Sequence, residues 1–61
     1  MRSDIKRIKI YDLDDVVIGK TKILSALPVD NMDVFCLGVN AVSDWCTANK
    51  LDYNNVFWDF A

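Results

Sequence analysis

The chain of 61 residues contains no histidine, no glutamate and no glutamine, and only one proline, two glycines and two cysteines. Each shortage excludes something. Without histidine, neither a serine nor a cysteine has its usual general base, and nucleophilic catalysis of that type is excluded. Two cysteines, Cys36 and Cys46, cannot complete an ordinary four-ligand zinc site within one chain that lacks histidine. No uninterrupted apolar run approaches the roughly 20 residues needed to span a bilayer. The opening MRSDIKRIKI has charges throughout and no apolar centre, unlike a secretory signal. The expectation is a cytoplasmic chain with reduced thiols, no membrane association and no cofactor or metal.

What is present is apolar and aspartate-rich. Hydrophobic residues make up 52% of the sequence, so it is not a disordered acidic tail. Seven basic residues face nine acidic ones, for a net charge of −2, which argues against a strongly basic nucleic-acid binder. Every acid is an aspartate, and five asparagines join them. Such side chains favour caps and turns over helix interiors. Charge is also uneven: residues 1–24 carry six basic and four acidic groups (net +2), and residues 25–61 carry one basic and five acidic groups (net −4).

At this length the chain forms one small domain, residues 1–61. A domain of about 60 residues buries only about 60% of its unfolded surface. Small domains make up the deficit with disulfides, a metal or association. Cys36 and Cys46 are predicted on one helix, separated by about 15 Å of rise and roughly 80° of rotation. The Cα atoms of a disulfide lie about 4.4–6.8 Å apart, so these two cannot bridge there. Association is the remaining remedy, and a homodimer is the expected state.

Residues 5–12 alternate with a period of two, Ile8 and Ile10 on one face and Arg7, Lys9 and Tyr11 on the other, as a strand requires. Leu13-Asp14-Asp15 reads as a turn, and residues 16–24 as the returning strand, with a bulge expected at Ile5 or at Gly19. Pro28 disfavours helix at Leu27 and marks a connection. Asp30 or Asn31 then caps a helix. Its apolar side gathers Val34, Leu37, Gly38, Ala41, Val42, Trp45 and Ala48, widened by Phe35, Val39 and Cys46 to roughly 200°, twice the width one core needs. Asn49 is expected to end it in the left-handed conformation. Val56, Trp58 and Phe60 alternate with Phe57 and Asp59 as in a short strand, with a helical turn as the competitor. The predicted class is α+β: a β-hairpin, one long helix and a short C-terminal strand, order ββαβ.

Three short patterns touch on chemistry. Gly19-Lys20-Thr21 matches the end of a phosphate-binding loop, but the glycine needed five positions earlier is Asp14. The stretch from Ile8 to Val16 resembles the first motif of haloacid-dehalogenase-like phosphatases, a strand followed by Asp-x-Asp. The resemblance implies Asp12 as nucleophile, Asp14 as acid/base and magnesium beside the phosphate. It covers nine residues, and the family's later strands have no room in this chain, so an Asp-rich hairpin turn is the reading adopted. Lys6, Arg7, Lys9, Lys20 and Lys22 gather on the hairpin with Tyr11 nearby. They suit a nucleic-acid strand, but protection of sheet edges by lysine explains the same residues more simply.

The aromatic residues speak most clearly. Three of seven fall in the last five positions. Phe35, Trp45, Val56, Phe57, Trp58 and Phe60 are the candidate residues for a partner or oligomer interface, because aromatics dominate such contacts. The functional expectation is a non-enzymatic protein-binding module that acts by stoichiometric occupation. In size and style it resembles the small inhibitors that phages and mobile elements direct at host defence or host enzymes. The alternatives are a nucleic-acid-binding regulator that uses the basic hairpin, or a dimer that holds a small ligand at its subunit boundary.

Overall fold

Residues 4–61 are described by a computed structural model. Arg2, counted above in the basic half, lies outside the described residues. The first strand, β1 (Ile5–Tyr11), turns back into β2 (Val17–Leu24); the helix α1 (Met32–Ala48) follows, then a 3-10 turn over Tyr53–Asn55 and the last strand, β3 (Phe57–Phe60). The sheet order is β2-β1-β3, with both neighbours antiparallel to β1. The ββαβ order is as the sequence predicts, and the strand alternative for residues 56–60 is the one adopted. The central strand is therefore the first in sequence, and the last strand lies along its second side.

The hairpin closes through Asp12. Its carboxylate accepts the backbone N–H of Asp14 at 2.8 Å and of Val16 at 3.0 Å. The backbone N–H of Asp12 reaches the carbonyl of Val16, and Asp15 takes φ 68° to complete the return. This is a three-residue loop with a left-handed third residue, a common hairpin solution. The bulge adjoins Gly19, the second of the two expected positions. Ile10 pairs with Gly19 and Tyr11 with Val17, so Ile18 is the extra residue, next to the glycine. Ile5 pairs regularly with Leu24.

Asn31, of the two candidate caps, starts α1, its side chain accepting the N–H of Asp33 at 2.8 Å. At the other end the left-handed residue is Lys50 (φ 58°), one beyond Asn49. The hydrogen bonds show why. Leu51 N–H bonds to the Cys46 carbonyl at 2.8 Å and Lys50 N–H to the Thr47 carbonyl at 3.2 Å. That pair defines a Schellman ending, which demands positive φ at the second residue past the helix. Asn49 keeps φ −101° and caps instead with its side-chain amide on the Trp45 carbonyl, 2.8 Å away.

The core is thin. Ile8, Ile10 and Ile23 from the inner sheet face meet Val34, Val42 and Cys46 from α1, closed by Val56. The buried stripe of the helix, Val34–Gly38–Val42–Cys46, repeats every fourth residue. It is narrower than the roughly 200° arc predicted: Phe35, Leu37 and Ala48 are exposed. The reason is width. Three strands at about 4.8 Å spacing offer only one strip for a helix to cover.

Candidate functional site

Above that core, the two tryptophans decide how the layers fit. A Cβ on Gly19 would lie 2.0 Å from Cζ2 and 2.6 Å from Cε2 of Trp45. A Cβ on Gly38 would lie 2.7 Å from Cη2 of Trp58 and 3.0 Å from Cζ of Phe60. Each glycine is thus a seat for an indole: the six-membered ring of Trp45 from the helix rests at Gly19 of β2, and Trp58 of β3 lies against the helix at Gly38. The chain's two glycines serve its two tryptophans. Neither pairing is visible in the sequence, because the partners are 26 and 20 residues apart.

Around Trp58 the side chains form a continuous aromatic seam. Its indole N–H donates to the Tyr53 hydroxyl at 3.0 Å. Phe35 stacks on it with ring centroids 5.4 Å apart and 30° between planes, and Phe60 meets it edge-on at 5.3 Å and 84°. Separations of this kind are those preferred by interacting aromatic pairs. Phe35 remains 50% exposed, and Met32, one turn earlier on the same side of α1, is 72% exposed.

Of the six candidate interface residues, Phe35, Trp58 and Phe60 thus come together at the seam between α1 and β3. Val56 is buried beneath them in the core. Trp45 lies across the domain on β2. Phe57 is 56% exposed on the other face of the sheet, because side chains alternate along β3.

The seam borders the outer edge of β3, along which no other strand of the described residues runs. Arg7 accepts a hydrogen bond from the backbone N–H of Ala61 at 2.8 Å. Since backbone groups alternate in direction along a strand, residues 57, 59 and 61 point theirs at β1. Trp58 and Phe60 point theirs outward, beside Phe35. The opposite edge, β2, carries Lys20 and Lys22 and is interrupted by the bulge, features that blunt pairing.

The outer sheet face is of different character. Arg7 stands opposite Lys22, and Lys9 opposite Lys20, all four exposed. They line a groove of about 420 Å³ together with Ile8, Thr21 and Ala61. Beyond them Tyr11 pairs with Phe57 on the same face. Lys6 is not in this group: it lies toward the core side, and its Nζ donates to the Ser25 carbonyl at 2.9 Å.

The remaining motifs resolve into structure. The Asp12 carboxylate is occupied by the hairpin turn. Gly19-Lys20-Thr21 is extended within β2. Among the described residues no group of three or more potential ligands is arranged to hold a metal ion. No helix of the described residues is long and apolar enough to cross a membrane. Cys36 is exposed on α1, and Cys46 is buried, its thiol pushed above the ordinary range by burial and then by the charge of Asp52.

Fold and surfaces together define a small α+β domain with one helix on a three-stranded antiparallel sheet. Comparison with protein families, with curated proteins and with solved structures gives no match for the chain.

Proposed function

We propose that the protein is a non-enzymatic docking module that binds other proteins stoichiometrically and works as a homodimer, with the free edge of β3 as the contact between copies. The observation that carries this is the outward set of backbone groups on Trp58 and Phe60, flanked by the exposed Phe35 ring. An unguarded apolar strand edge is a template for another strand, and aromatic side chains supply the contact energy at such places. A two-fold axis through β3 would pair each edge with itself, as a closed dimer requires. Met32 and Phe35 would cover the join from the helix side. Thirteen large apolar side chains are exposed among the described residues, Leu27, Val29 and Leu37 included, and supply further contact area for a target. Occupation of a target surface, the working mode of small inhibitors, is the activity assigned.

The test uses a synthetic chain N-methylated at Phe60. The methyl group removes one outward N–H and leaves the side chain and the β1 pairing in place. Sedimentation equilibrium should show dimer for the unmodified chain and monomer for the methylated one, both with the same far-UV circular dichroism. A unmodified chain that is monomeric at high micromolar concentration, or a methylated chain that still dimerises, refutes the proposal.

A further inference from the structure

The outer sheet face carries a second inference, independent of the dimer. Arg7 and Lys22 are directly opposite, as are Lys9 and Lys20. Like charges at directly opposed positions destabilise a sheet, and here two such pairs adjoin. Edge protection explains lysines on β2, but not Arg7 and Lys9, which are on the central strand where there is no edge to guard. Strands stand about 4.8 Å apart and alternate residues rise about 6.8 Å, so the four cations occupy a compact rectangle. With Asp59, which pairs with Lys9 from the other side, the face holds four positive charges and one negative, net +3. The rest of the chain must then hold −5, since the whole carries −2. A positive field is therefore concentrated on one face of an acidic protein.

The aromatics indicate what kind of anion fits. Tyr11 and Phe57 form a cross-strand pair on this same face, adjoining the cations, and Phe57 is 56% exposed. A basic groove that follows a phosphate backbone, with aromatic rings on which bases stack, is the common design of single-strand binding surfaces. We infer that the outer sheet face binds single-stranded nucleic acid, the groove between Arg7, Lys9, Lys20 and Lys22 taking phosphates and Phe57 with Tyr11 taking a base. The low overall charge does not oppose this, because the field that acts on a phosphate among the four cations is local and the acids of α1 lie on the layer that covers the other face, while the hairpin-turn aspartates begin one residue beyond Tyr11, at the end that takes the uncharged base.

The experiment titrates the full chain into a short labelled oligothymidylate at a series of salt concentrations and follows anisotropy. Contact with three or four phosphates predicts a log–log salt slope of roughly −2 to −3. The double variant Lys20→Gln/Lys22→Gln should flatten the slope by roughly 1–1.5. Its thermal stability should be unchanged or higher, since two like-charge pairs are relieved. That combination separates a binding role from a structural one. Phe57→Ala should weaken binding roughly five- to 150-fold with the slope unchanged. The inference is overturned if the oligonucleotide does not bind at low salt. It is equally overturned if Phe57→Ala has no effect, the mark of a general polyanion contact. Binding to vesicles containing phosphatidylserine without binding to the oligonucleotide would assign the face to a membrane surface and overturn it as well.

Discussion

Alanine at Gly19 should reverse its usual effect. Glycine within a strand is ordinarily worse than alanine by roughly 0.5–1 kcal/mol, so the substitution by itself stabilises. Here the new methyl carbon would lie 2.0 Å from Cζ2, 2.6 Å from Cε2 and 2.8 Å from Cη2 of Trp45. Three ring atoms at such distances cannot be accommodated by a small shift, and the indole must leave its seat. Overpacking of this kind costs about 1–3 kcal/mol. Set against the backbone gain, the net loss should be about 1–2 kcal/mol, or roughly 5–15 °C in melting temperature for a domain of this size. The decisive measurement is the double-mutant cycle with Trp45→Ala. In that background the seat is empty and Gly19→Ala should gain about 0.5–1 kcal/mol, giving a coupling of about 1.5–3 kcal/mol. Urea denaturation followed by far-UV circular dichroism serves all four proteins, and the fluorescence of Trp58 provides a second probe. If Gly19→Ala shifts stability in the same direction with and without Trp45, the glycine is not a seat and the account of how helix and sheet fit is wrong.

Tyr53→Phe removes the hydroxyl that accepts the Trp58 indole N–H at 3.0 Å, and should cost about 1 kcal/mol by denaturation; no loss would mean the bond contributes nothing net. Lys50→Gly places glycine at φ 58° and should raise the melting temperature, by about 1 kcal/mol in stability; a loss would disprove the Schellman ending. A thiol reagent should modify Cys36 in the native protein and Cys46 only on unfolding. Because the folded state raises the Cys46 thiol, its contribution to stability is complete below the unfolded value of about 8.5 and is lost as pH climbs from there toward the folded value. The urea midpoint should therefore fall more steeply in alkali for the native sequence than for Cys46→Val, and equal slopes would contradict the burial.

How far the sequence discloses this fold depends on the range of the interactions. Ile8 and Ile10 alternate with charged neighbours, and both are fully buried on the inner sheet face as that period requires. The cap at Asn31 and the turn at Leu13–Asp15 are equally local, since the side chains that make them are within four residues of the groups they bind. The width of the helical contact is another matter. Apolar Phe35 and Leu37 belong to the predicted arc, yet only the strip Val34–Gly38–Val42–Cys46 is buried, and Phe35 stays half exposed even where it stacks on Trp58. Nothing in a helical period tells how many strands will lie opposite. The glycine seats are hidden for the same reason: Gly19 and Gly38 read as a flaw in a strand and a flaw in a helix until the tryptophans are placed over them. On the surface, the lysines of the hairpin read as edge guards until the strand order puts Arg7 and Lys9 in the middle.

That strand order also bears on how the protein is made. β1 leaves the ribosome first and can find β2 within a few residues, but its other flank must wait for β3, which begins more than forty residues later. At synthesis rates of about 5–20 residues per second, the delay is roughly 2–9 s. Until β3 pairs, one flank of β1 carries no strand and, once α1 has formed, the slot beside Gly38 stays unfilled. A nascent chain halted before Phe57 would keep both gaps permanently, which makes the final aromatic residues the closing piece of the fold.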